Sequence, residues 1–77
     1  MANKYNEIKV NRIVAEADGK RKMLKVAQEE MFQNLPTNGA GEVLAESVLN
    51  LNKWVERMEA MINEIMVSEL LELEKQV

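Results

Sequence analysis

The sequence predicts an all-α protein, an antiparallel helical hairpin that dimerises into a four-helix bundle. Three observations lead there. Two long stretches carry apolar residues at spacings of three and four, the helical period. One short segment between them, NLPTNGAG from Asn34 to Gly41, holds the only Pro and two of the three Gly. And 77 residues without a single Cys form too small a chain to rest comfortably on one core without a staple, a metal or association.

The first rod is expected over residues 3–34. Val10, Ala17, Leu24 and Met31 recur every seven residues, with Ile13, Val14, Ala27 and Leu35 on the same side. The Asp18-Gly19 pair offers an alternative, a turn between two short strands, since Ile8, Val10 and the run from Arg12 to Ala17 have a faint strand character. Two features favour the helix. The residues after Gly19 do not alternate, and Glu16–Lys20 and Asp18–Lys22 are i,i+4 pairs in the preferred acid-first order. Gly19 then remains a soft spot, costing about 1 kcal/mol relative to Ala.

The connection is expected at residues 35–41. Pro36 disfavours helical geometry at Leu35, so the first helix should end near Asn34. Thr37, Asn38, Gly39 or Gly41 can cap the second helix, and Glu42 falls in its first turn, where the macrodipole favours an anion.

The second rod is expected over residues 42–76. Leu44, Val48, Leu51, Val55, Met58, Ile62 and Ile65 alternate spacings of four and three, and Met66, Leu70, Leu73 and Val77 continue the stripe with a slow drift. Trp54 and Met61 widen one edge. Val67 and Leu71 do not belong to the seam, since they lie roughly 140° and 180° around the helix from Ile62. Two rods of nearly equal length joined by a short loop pack antiparallel, but each covers only one side of the other. A second copy would close the remaining sides.

Composition excludes much. Without Cys or His there are no disulfides, no thiolate or imidazole chemistry and almost no zinc site. Ser47 and Ser68 have no imidazole to activate them, so no catalytic residue, cofactor or metal is expected, and no small-molecule substrate. No apolar run approaches the roughly 18 residues of a membrane span, and MANKYNEIKV lacks the apolar core of a signal peptide. The expected setting is the cytoplasm, away from membranes.

Net charge is −3, but it is unevenly distributed. Residues 1–34 carry seven basic and five acidic side chains (+2), whereas residues 42–77 carry three basic and eight acidic ones (−5). Glu56, Glu59, Glu64, Glu69, Glu72 and Glu74 make the second rod acidic, and a solvated helix face accounts for them.

The function expected by elimination is that of a protein-binding module: a regulator, inhibitor, adaptor or assembly chaperone that pairs with itself and engages a larger protein. Its candidate contact residues are Trp54, Met61, Val67 and Leu71. Large aromatics dominate interface energies, and the methionines Met23, Met31, Met58, Met61 and Met66 give an adaptable apolar surface. A purely structural homo-oligomer is one alternative. Another uses the basic cluster Lys20, Arg21, Lys22 and Lys25 on nucleic acid. A dimeric hairpin of that kind resembles, in architecture alone, the plasmid-copy-number RNA-binding proteins of the Rop type. Against it, no aromatic interleaves the cluster, acidic residues dilute it, and the pI is about 5.0. Small secreted WXG-type hairpins carry Trp in the connecting turn, whereas Trp54 lies inside the second rod.

Overall fold

A computed structural model describes residues 4–36 and 41–75, with the side chains of Lys4 and Tyr5 left aside. The protein is all-helical. Helix α1 spans Lys4–Gln33 and helix α2 spans Gly41–Lys75, and the two pack side by side, antiparallel.

Helix α1 runs without interruption through Asp18 and Gly19. Gly19 keeps a negative φ, and a Cβ built on it would meet nothing within 4 Å, so the glycine answers no steric demand. The i,i+4 periodicity on either side carries the helix across it. At the C-terminus, the Asn34 amide donates to the carbonyls of Glu30 and Met31 at 3.2 and 3.3 Å, and Leu35 N donates to Phe32 O at 3.4 Å. Asn34 Nδ2 also donates to Glu30 O at 3.0 Å. Asn34 therefore satisfies a carbonyl that the helix end leaves open, and Pro36 prevents a further turn.

Helix α2 begins at Gly41, with Glu42 in its first turn and Lys75 in its last, both favourable to the helix dipole. The candidate caps Thr37, Asn38 and Gly39 lie outside the described residues, as does Val77; Gly41 is the first residue of the helix. Ser47 Oγ donates to Val43 O at 2.9 Å, turning a polar side chain back onto its own backbone.

The seam between the helices is thin. Among the described residues only Ala17, Leu51, Val55, Ile62 and Leu73 are buried, and no large side chain is fully enclosed. Leu24, Ile13 and Ala27 on α1 and Val48, Met58, Met66 and Leu70 on α2 are half-buried around them. Val10, Val14, Met31, Leu44 and Ile65, all on the predicted stripes, stay substantially exposed. Two cylinders touch along a line, so a stripe wider than that line must emerge on both flanks. Dimensions agree: the Cα radius of gyration is 17.9 Å, against about 11.5 Å for a compact domain of this length.

Candidate functional site

The hairpin has two flanks and two outer backs, and helical period decides which residues each receives. On one flank α1 presents Asp18, Arg21, Lys25 and Gln28, and α2 presents Glu59 and Asn63; most of them line one shallow groove. Arg21 Nη2 donates to Asn63 Oδ1 at 2.7 Å across the helices, and Arg21 Nη1 pairs with Asp18 at 2.9 Å. This is the polar flank.

The polar flank also exposes Val10, Val14 and Phe32, and the opposite flank has exposed apolar residues of its own. Toward the chain termini the opposite flank is an open groove containing Lys9, Arg12 and Ile13 from α1 and Ser68, Glu72 and Leu73 from α2. Continuing each helix at its own period toward the turn brings Lys20, Ala27 and Met31 on α1 and Ile65, Met61 and Trp54 on α2 to the same side. Met61 is 47% exposed and Ile65 42%, while Trp54 is half-buried at the edge of the seam. Sequence reasoning placed Ile65 in the seam. It instead joins Met61 on the flank, because the seam follows Val55, Ile62 and Leu73, and Ile65 lies about 60° to one side of it.

The outer back of α2 carries Val67 and Leu71, 49% and 53% exposed, beside a shallow apolar hollow that Asn63, Glu64 and Ser68 complete. Leu49 shares their angular position and is likewise exposed. The four candidate contact residues thus fall into two sets, Trp54 with Met61 on the apolar flank and Val67 with Leu71 on the back. The two sets face different sides of α2. The back of α1 has its own apolar patch, Met23 and Val26, which the seven-residue pattern did not single out.

The basic cluster does not converge. Lys20 faces the apolar flank, Arg21 and Lys25 the polar flank, and Lys22 the back, because consecutive residues are about 100° apart. Arg21 is committed to Asp18 and Asn63. What remains is separate lysines, not a continuous stripe that could follow a phosphate backbone.

Among the described residues no charged or polar residue is buried, and no three Asp or Glu side chains are grouped to hold a metal ion. Nor is any helix among them long and apolar enough to cross a membrane. The features present are open, shallow and partly apolar, which suits protein docking. No protein-family model, curated protein or solved structure matches the chain.

Proposed function

We propose that this chain is a non-enzymatic protein-binding module of the cytoplasm, a homodimer of helical hairpins whose outer α2 surface engages a larger protein as a regulator, inhibitor, adaptor or assembly helper. The observation carrying this reading is the position of Val67 and Leu71. Both are about half exposed on the side of α2 turned away from α1, where they add nothing to the hairpin's own seam. An apolar pair one helical turn apart, rimmed by Asn63, Glu64 and Ser68, fits the anchor pattern by which a helix engages a partner's groove.

The test is affinity capture with tagged protein followed by mass spectrometry, run in parallel on the wild type and on Val67→Asp/Leu71→Asp. The double variant should keep its helical circular dichroism and lose the partner. A partner retained equally by both would place the binding surface elsewhere. The nucleic-acid reading gains less support, because Lys20, Arg21, Lys22 and Lys25 point in different directions.

A further inference from the structure

The apolar flank of the hairpin has no cover within one chain, and its size, its chemistry and the charges beside it specify what fits. The accessible surface is 6291 Å². A folded monomer of 8.8 kDa exposes about 4,800 Å², so this chain carries roughly 1,500 Å² in excess. A standard protein interface removes about 800 Å² from each partner, well within that excess. The flank is long enough to supply it, since the hairpin measures 59 Å by 17 Å across its broad side.

We propose that a second copy of this chain covers the flank formed by Trp54, Met61, Ile65 and Met31, with α1 of each copy lying over α2 of the other and both interhelical turns at the same end. This assignment rests on the homodimer of the proposed function and adds its face and its direction. Charge selects the direction. Helix α1 carries a net +2 and α2 a net −5, counting seven basic against five acidic and three basic against eight acidic side chains. A two-fold axis parallel to the helices sets each basic rod over an acidic one. An axis perpendicular to them sets α2 over α2, −5 against −5, and places the turns at opposite ends.

Heights along the rods agree with the first choice. Arg12 and Glu72 line the same groove, so this basic residue is level with its acidic counterpart. An axis parallel to the helices preserves that level. Arg12 of one copy then stands at the height of Glu72 of the other, beside an apolar centre. The opposite flank exposes Val10, Val14 and Phe32, but covering it would desolvate the Asp18–Arg21–Asn63 network.

The test combines sedimentation with a distance. Wild-type protein should sediment at twice 8.8 kDa over most of the range from about 1 to about 500 µM. Ile65→Glu should raise the dimer dissociation constant at least about 100-fold by burying an unpaired charge, whereas Leu71→Glu on the back should leave it within about threefold. Because the chain lacks Cys, Gln33→Cys accepts a single spin label near the turn. Turns at one end predict a label separation of about 20–30 Å, and turns at opposite ends about 45 Å or more. A monomer throughout, folded or not, overturns the homodimer itself. A dimer that tolerates Ile65→Glu, or labels about 45 Å apart, overturns this face or this direction and leaves the homodimer standing.

Discussion

Arg21 on α1 and Asn63 on α2 are joined by a 2.7 Å hydrogen bond from the guanidinium to the side-chain carbonyl, 42 residues apart in sequence. The same guanidinium holds Asp18 at 2.9 Å, one helical turn earlier, and its Nη2 approaches Met66 Sδ at 4.0 Å. The contact joins the two rods at one relative height. Apolar seams allow sliding in steps of a turn; a directional polar bond between helices penalises the wrong step.

Arg21→Ala should therefore cost modestly in stability and more in uniqueness. The pair is exposed, which limits its worth to about 0.5–1 kcal/mol. A double-mutant cycle with Asn63→Ala, read by urea unfolding at one fixed protein concentration, should return a coupling energy of that size. Additive single effects would show that the bond contributes nothing in solution.

Gly19→Ala should stabilise the protein by about 0.5–1 kcal/mol. The glycine is mid-helix with ordinary helical geometry and open space around its missing Cβ, so alanine removes chain entropy from the unfolded state at no steric cost. Gly19 also lies on the outer side of α1, away from the flank assigned to the second copy. A loss of stability in thermal unfolding would reveal something packed against that side.

Ile62→Ala should be among the most damaging truncations. Among the described residues Ile62 is one of five buried apolar residues in a seam with no fully enclosed side chain, so neighbours are few and loss of its methyl groups leaves contacts unmade. The expected cost is about 2–4 kcal/mol, a large part of the roughly 4–11 kcal/mol available to a domain of this length. Val26→Ala, on the exposed back of α1, should change stability by less than about 0.5 kcal/mol. Equal effects in denaturant unfolding would mean that the seam is not where stability resides.

The two rods were legible from the sequence because a 3–4 spacing held over thirty residues has one regular solution, and Pro36 marks its interruption. Continuity through Gly19 was legible from the lack of alternation after it; the expected pairs Glu16–Lys20 and Asp18–Lys22 do not form, and Asp18 pairs with Arg21 at i,i+3 instead. The Arg21–Asn63 bond was not, since nothing in the chain announces which Asn meets which Arg until the rods have a relative height. Ile65 was misplaced for a related reason. A wheel shows that it lies near the stripe, but the width of the buried seam depends on how deeply a partner rod enters, which one helix cannot report. Trp54, Met61, Val67 and Leu71 were visible as excess apolar residues, while their division between a flank and a back needed both helices in place.

That division yields a separation of effects at opposite sides of α2. Val67→Asp/Leu71→Asp should leave folding almost intact, within about 0.5 kcal/mol for each change, because both side chains are already about half in water and lie away from α1. Trp54→Ala should behave in the other way. It removes a half-buried aromatic at the seam edge and from the flank assigned to the second copy, so it should lower both helicity and dimer population. Circular dichroism and sedimentation on the two variants at matched concentration provide the comparison. If the Val67/Leu71 variant unfolds while Trp54→Ala stays dimeric, the assignment of self-association to the flank and of foreign docking to the back is reversed.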